Sequence, residues 1–317
     1  DENCDRLEQL YNHPIPRRPG LRAAHLLDRA RESGLDVLYL VGGNHLETMP
    51  DRAGARQGLE NVGLRVHQDI VLNSSSLLPA RGAVLLLPAE TRYEQKGGGT
   101  STSTERRIRF SPMIPGPRIE EAMPEWEIAC AIGRKLKPEM PALFDFQDGK
   151  DVRMEMAQAI PLYAGIEHLN HEGDELQWGG ERLGSDGFPN LPGGKARFSV
   201  ISIPRVDIPE GRLLLTMRRG KQFNSMTFGT RDPITSGSAR DDLLLDPRDM
   251  AELGLHQNDR VRVFNEHATM DARVRSGPCR KGHVQGFWPE CNVLLKPRYD
   301  PESGEPDYNT SVCVERQ

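Results

Sequence analysis

The chain has 317 residues, 37% of them hydrophobic and 6% aromatic, with 41 Lys and Arg against 46 Asp and Glu. A net charge of −5 and a pI near 6.0 give no whole-chain field for a polyanion, so no nucleic-acid partner is expected. The longest apolar runs, such as 83–88, are far too short to span a bilayer, so no membrane partner is expected either.

At this length two domains or more are expected. Cys4, Cys130, Cys279, Cys291 and Cys313 form no CxxC pair. Their odd number and wide spacing argue against a disulfide framework and a zinc ribbon, which points to a reducing, cytoplasmic compartment. His168 and His171 read as solvated loop histidines rather than metal ligands. The chain opens on Asp1-Glu2-Asn3-Cys4-Asp5, acidic and polar rather than a signal peptide. Without an initiator Met, a processed, trimmed or partial chain is expected.

Residues 1–20 are polar and proline-rich and read as a linker or a cut edge. Leu21, Ala24, Leu27 and Ala30 recur at helical spacing and predict a helix over Leu21–Ser33, with Gly34 as its C-cap. Asp36–Val41 is an apolar run of strand length ended by Gly42-Gly43-Asn44. A second helix is predicted near Ala53–Val62, then short apolar segments at Leu64–Val66 and Ile70–Leu72, then a buried strand at Ala83–Leu87. Alternation of helix and strand gives an α/β regime with a mostly parallel sheet, and ligands in such sheets bind at the carboxyl ends of the strands. Pro124–Leu136 reads as a helix closing a segment 21–140. Residues 141–205 read as a long connection with little core, apart from a helical piece near Val152–Ile160.

From residue 206 the pattern changes. Leu213–Thr216, Leu243–Leu245, Val261–Phe264, Ala272–Arg275 and Val284–Trp288 are short strand-like segments spaced as in a small β-barrel, with one helix at Pro247–Leu253. Val261-Arg262-Val263 and Ala272-Arg273-Val274-Arg275 alternate as a half-exposed barrel wall should.

Four stretches carry candidate chemistry. Gly42-Gly43-Asn44 offers backbone amides at a strand end, suited either to a phosphate or to a tight strand-to-helix turn; Gln68 and Asp69 follow the next strand. Glu94 through Gly97, Gly98, Gly99 and Thr100, running on to Arg106-Arg107, combines a backbone without Cβ atoms with hydroxyls and cations. That suits a large phosphate-bearing ligand or a flexible polar loop. Arg218, Arg219, Gln222, Phe223 and Asn224 place donors at a strand end, where a solvated basic turn is the alternative. Pro289-Glu290-Cys291-Asn292 sets Glu and Asn in an apolar context, where each needs a partner. Cys291, among apolar and acidic neighbours, is a poor nucleophile. No nucleophile–base pair, GxSxG, HExxH or P-loop is present, so no catalytic residue and no metal ligand is assigned.

These blocks, in this order, resemble the molybdopterin oxidoreductase family, closest to its formate dehydrogenase alpha-subunit-like branch. The matching pieces are Gly42-Gly43-Asn44 with Met49-Pro50-Asp51, Val66-His67-Gln68-Asp69-Ile70, Pro88-Ala89-Glu90 to Glu94, Gly97 through Thr104-Glu105-Arg106-Arg107, Pro192-Gly193-Gly194-Lys195-Ala196-Arg197-Phe198, Gln222-Phe223-Asn224 and Pro289-Glu290-Cys291-Asn292-Val293-Leu294. The resemblance runs over about residues 20–317. It implies a mononucleotide-binding parallel-sheet half-domain followed by a double-psi β-barrel over 206–317. Both would contribute to a molybdenum (or tungsten) bis-molybdopterin guanine dinucleotide site.

By position, the resemblance assigns Gly42, Gly43, Asn44, Gln68, Asp69 and the Glu94–Thr100 stretch to one guanine dinucleotide. It assigns Arg218, Arg219, Gln222, Phe223, Asn224, Glu290, Asn292, Tyr308 and Asn309 to the barrel side of the cofactor. Family members are usually more than twice this long. Their N-terminal part carries the iron–sulfur cysteines and the metal-ligating residue, and none of the five cysteines here matches such a context. The chain therefore reads as the C-terminal, cofactor-holding portion of such an enzyme, unable to turn over alone. Its expected partners are the missing N-terminal half and a small-molecule substrate, with formate favoured. A non-catalytic nucleotide-binding or assembly module, an inactive remnant, and a split enzyme are the competing readings.

Overall fold

A computed structural model describes residues 2–203, 206–220, 229–232 and 237–317. Contacts divide the chain into two compact units, residues 1–19 with 87–203, and residues 20–86 with 204–317. The division falls at 19/20, 86/87 and 203/204. The chain leaves the second unit at Leu87, within its third strand, and returns to it at residue 204.

Part of the polar opening, expected as a linker, is helix α1 (Glu2–Tyr11). Its Tyr11 hydroxyl donates to Glu155 Oε1 within the first unit. In the second unit, α2 (Ala23–Ser33) ends as predicted at Gly34, whose positive φ suits glycine and whose N–H returns to Ala30 O. Strand β1 (Leu35–Val41) runs into the short α3 (His45–Thr48) and then α4 (Arg52–Glu60). Asp51 caps α4, accepting from the Gly54 N–H at 2.8 Å. Strand β2 (Val62–Asp69) pairs parallel to β1 with Leu35 opposite Val62. The apolar fragment Leu64–Val66 is thus the middle of one longer strand, while Ile70–Leu72 lies outside it and is exposed.

Strand β3 (Ala83–Pro88) completes the order β1-β2-β3. Leu27 and Ala30 of α2, Ala55 and Leu59 of α4, and Leu38 and Leu40 of β1 form the core under one face. The prediction of a buried third strand fails, because Leu85 and Leu86 are exposed, as are Val37, Tyr39 and Val41 on β1.

In the first unit, the Gly97–Arg107 stretch is not a free loop. It contains β4 (Gly99–Thr102), paired antiparallel with β5 (Arg107–Ser111), where it ends. Helix α5 (Glu125–Leu136) matches the predicted Pro124–Leu136. The 141–205 connection has more structure than expected. Helix α6 (Gly149–Ala159) is capped by Asp148, and β6 (Glu175–Gln177) joins β5. Ile108, Phe110, Ile166 and Leu169 make a core with Tyr163, Leu176 and Trp178. The many glycines mask this core because its apolar residues are scattered over some seventy positions with no single period.

The barrel is built from β7 (Leu213–Arg219), β10 (Asp242–Leu245), β11 (Arg260–Phe264), β12 (Thr269–Ser276), β13 (His283–Trp288) and β14 (Thr310–Arg316). The pair β8 (Arg231–Asp232) and β9 (Ser238–Ala239) stands apart, and α7 (Pro247–Glu252) follows β10. The order β10-β12-β11-β14-β7-β13 closes on itself. Parallel pairs β10–β12 and β7–β13 sit among antiparallel ones, the mixed pairing expected of a double-psi barrel. Val261, Val263, Ala272, Val274, Val312 and Val314 point into the core. The alternate arginines face out, as in the Arg262–Glu315 pair at 2.6 Å. Each such buried valine contributes about 1.5–3 kcal/mol.

Candidate functional site

The chain after β1 turns through Gly42 and Gly43, both at positive φ, and delivers Asn44, which is 3% exposed. Asn44 Oδ1 accepts from the hydroxyls of Ser75, at 2.8 Å, and Ser74, at 3.0 Å. Ser75 Oγ in turn accepts from the Leu46 N–H at 2.8 Å. Glu47 Oε1 lies 2.9 Å from Ser74 Oγ and 2.6 Å from Arg52 Nη2. The turn after β2 therefore clamps the start of α3, and the clamp is made of side chains.

From the barrel, the segment after β13 turns at Pro289 into a short 3-10 helix, Glu290–Leu294. Asn292, 2% exposed, donates through Nδ2 to the carbonyls of Glu47 and Thr48 at 3.1 and 2.9 Å. Glu290 Oε1 accepts from Arg240 Nε at 2.6 Å. Between these groups lies a cavity of about 450 Å³ lined by Asn44, Glu47, Arg52, Ser74, Arg240, Glu290 and Asn292, with Met49, Thr269, Met270, Pro289 and Val293 completing its walls.

Two lining oxygens, Glu290 Oε2 and Asn292 Oδ1, are buried without a hydrogen-bond partner among the described residues. A buried unpaired acceptor is costly, so both call for N–H or O–H donors. The two arginines, each paired with a carboxylate, put positive charge within reach of an anion. Cys291, in the same helix, is fully buried; burial, and then Glu290, push its thiol up to about 12. It is inert at neutral pH, as its neighbours foretold.

Other expected residues around this site hold the protein to itself. Gln68 is buried; its Oε1 accepts from the Tyr39 hydroxyl and its carbonyl from the Gly42 N–H. Asp69 accepts from Asn73 Nδ2 at 3.2 Å and from the Ile70 N–H. Arg218 and Arg219 at the end of β7 lie over the rings of Phe287 and Trp288 and are not among the cavity residues. Tyr308 is partly exposed, and Asn309 folds back on Asp307. Gln222, Phe223 and Asn224 lie outside the described residues.

Glu94, Gly97, Gly99 and Thr100 belong to the other unit, where the observed contacts are internal. Glu94 Oε2 accepts from the Thr91 N–H and hydroxyl, both at 2.8 Å, and these bonds pull its carboxyl below the usual range. Arg153, 3% exposed, donates to the carbonyls of Gly97, Gly98, Gly149 and Leu169 at 3.0–3.2 Å. A Cβ on Gly97 would meet Asp148 and the Gly149 N–H, and one on Gly98 would meet the Phe110 ring. The three glycines thus allow close packing of the protein on itself, and Thr100 pairs with Phe110 across the hairpin.

The structure brings together Asn44, Glu290 and Asn292 from the expected set. Sequence reasoning missed Glu47, Arg52, Ser74 and Arg240. The triple serine at 74–76 and the Glu47/Arg52 pair around Met49-Pro50-Asp51 were the available signals; Arg240 offered none. Among the described residues no group of three or more His, Cys, Asp and Glu is placed to hold a metal ion, and no helix is long and apolar enough to cross a membrane.

Residues 213–312 match the family described as Molydopterin dinucleotide binding domain. The chain is 29% identical to the F420-dependent formate dehydrogenase 2 subunit alpha of Methanococcus maripaludis, over 95% of this chain and 46% of that protein. It is 32% identical to a nitrate reductase of Synechocystis sp., over 50% of this chain and 21% of the relative. Among solved structures, acetylene hydratase from Pelobacter acetylenicus shares the fold with a TM-score of 0.62 at 16% identity, over 100% of this chain and 50% of that one. The chain spans about half the length of the formate dehydrogenase subunits it matches. Residues 213–312 thus match a molybdopterin dinucleotide binding domain, and over nearly its whole length the chain is similar to formate dehydrogenase alpha subunits.

Proposed function

We propose that this chain is the cofactor-holding portion of a molybdenum or tungsten oxidoreductase, and that the cavity between Asn44 and Asn292 grips part of a bis-molybdopterin guanine dinucleotide. The observation that carries the reading is the pair of unpaired buried acceptors, Glu290 Oε2 and Asn292 Oδ1. Pterin and guanine both present a ring N–H beside an amino group, a donor edge that would satisfy two such oxygens. The phosphates of the same molecule suit Arg52 and Arg240. The residues present therefore fit the group.

When bound, the metal would supply a two-electron redox step, proposed as formate-like oxidation of a small substrate. A 4Fe-4S cluster in the part of the enzyme beyond this chain would carry the electrons away. The chain's own residues bind and orient. Asn292 ties the barrel to the Glu47 and Thr48 carbonyls, and Ser74 and Ser75 hold Asn44.

A further partner is part of the proposal. Parallel strands are normally covered on both faces, yet Val37, Tyr39, Val41, Leu85 and Leu86 are exposed. The N-terminal half present in the relatives is proposed to cover them. The five unpaired cysteines favour a cytoplasmic setting.

The test is to purify the chain with the polypeptide encoded upstream and measure molybdenum, tungsten and released guanine nucleotide. Metal together with guanine nucleotide supports the reading. Neither one, from a folded assembly, overturns it.

A further inference from the structure

Arg65, in the middle of β2, is fully buried at 0% exposure. Its Nε donates to His67 Nε2 at 2.9 Å. Nη1 donates to the carbonyls of Leu59 and Pro79, and Nη2 to those of Ser75 and Leu78. No carboxylate pairs with it among the described residues. Burial pulls its guanidinium below the ordinary range, but a guanidinium does not deprotonate in proteins, so a charge is buried here at real cost.

A buried cation spent on four loop carbonyls fixes a backbone shape, because the guanidinium offers five donors in a rigid fork. Three of those carbonyls belong to the 75–79 segment. The same turn is fixed at its start by Asn73, whose Oδ1 accepts from the N–H groups of Ser75 and Ser76 at 3.0 and 3.3 Å. It presents Ser75 Oγ to Asn44 and to the Leu46 N–H, and Ser74 Oγ to Asn44 and Glu47. Asn44, Glu47 and Ser74 line the cavity.

We propose that Arg65 is a positioning residue for this cavity: through the Ser75, Leu78 and Pro79 carbonyls it holds the turn that sets Asn44 and Glu47 in place. Its value as a positioning residue rests on the cavity being the ligand site proposed above, whereas its grip on the turn does not. Arg65 touches no cavity atom and acts through Ser74 and Ser75.

Hydrogen exchange of the full chain tests the grip directly. In Arg65→Met and in Arg65→Lys the Leu46 amide, which donates to Ser75 Oγ, should exchange roughly ten-fold faster, the equivalent of one net hydrogen bond. The Val263 amide in the barrel should be unchanged. Lys keeps the charge but cannot span four carbonyls, so it also stands in if the Met variant does not fold. Unchanged protection of Leu46 overturns the proposal, as does equal acceleration of Leu46 and Val263, which marks a merely global effect.

GMP, titrated into the same proteins, adds the ligand readout. Weaker binding in both variants supports geometric positioning. Full recovery in Arg65→Lys would overturn it in favour of charge alone. If the wild-type chain binds no GMP, the cavity reading fails while the exchange result still decides whether Arg65 holds the turn.

Discussion

Among the described residues, each unit contains one buried arginine wrapped in backbone carbonyls, and the two have different surroundings. Arg153 sits under the glycine-rich stretch, bonded to Gly97, Gly98, Gly149 and Leu169 carbonyls and lying over the Phe110 ring at 4.9 Å. Arg65 sits under the serine turn, bonded to Leu59, Ser75, Leu78 and Pro79 carbonyls. Around Arg153 the glycines let chain meet chain, and Glu94 is capped by Thr91. Around Arg65 the turn faces a cavity whose far wall keeps two acceptors unpaired. Both turns border a cavity, about 320 Å³ beside Gly97, Gly98 and Arg153 and about 450 Å³ beside Asn44, Glu47 and Ser74, and the ligand proposed above belongs to the second. A glycine run in a sequence does not tell these cases apart, because close approach of protein and close approach of ligand both require the missing Cβ.

The largest expected effect comes from removing the arginines. Arg153→Met and Arg65→Met should each lose roughly 3–5 kcal/mol in denaturant unfolding, since each stranded buried acceptor costs about 1–3 kcal/mol. Only Arg65→Met should also change GMP affinity; an equal change in both would erase the contrast between the two units.

Next comes a pair of glycine variants at nearly equal φ, +70 at Gly98 and +69 at Gly42. Gly98→Ala meets the Phe110 ring, whereas nothing lies within 4 Å of a Cβ at Gly42. Thermal unfolding should show about 2–3 kcal/mol lost at Gly98, strain plus collision, against about 1 kcal/mol at Gly42, strain alone. Equal losses would show that the 97–99 glycines are not there for packing.

Acid, down to pH 4.5, removes part of a further contribution. Burial, then Arg65 and His45, push His67 down to about 4, and burial also lowers His45. The folded pKa lies below the unfolded one near 6.5, so the unfolded chain binds more protons in between. The contribution of neutral His67 is complete above pH 6.5 and is lost as pH falls toward about 4. It is on the order of 3 kcal/mol when lost in full. In the other unit, His168 and His171 are exposed. Between pH 6.5 and 4.5, amide exchange should therefore speed up at β1 and β2 before it does at β4 and β5, and His67→Gln should flatten that difference.

Much of the fold is legible in the sequence. The alternation in Val261-Arg262-Val263 and Ala272-Arg273-Val274-Arg275 showed which barrel faces turn inward, because a strand has only two faces. Gly34 marked a helix end for the equally local reason that few other residues take its φ. The core of the first unit was not legible. Ile108, Phe110, Ile166 and Leu169 come from distant, aperiodic segments, and only the folded chain brings them together.

At the site, Glu290 and Asn292 stood out as polar residues in an apolar context, and Asn44 as the end of a glycine turn after a strand. Arg52, Ser74 and Arg240 did not, since an arginine or a serine in a loop looks solvated until its partners are known. Arg65 was hidden in plain view, a charge inside a strand whose neighbours are apolar. Its partners are carbonyls, which no sequence pattern reports.

The most direct test is a crystal structure of the metal-loaded assembly containing this chain. It should show a ring N–H or amino group of the cofactor within hydrogen-bond distance of Asn292 Oδ1 or Glu290 Oε2, with Arg65 still bound to the Ser75, Leu78 and Pro79 carbonyls. Cofactor density that leaves both oxygens facing only water or protein would contradict the account.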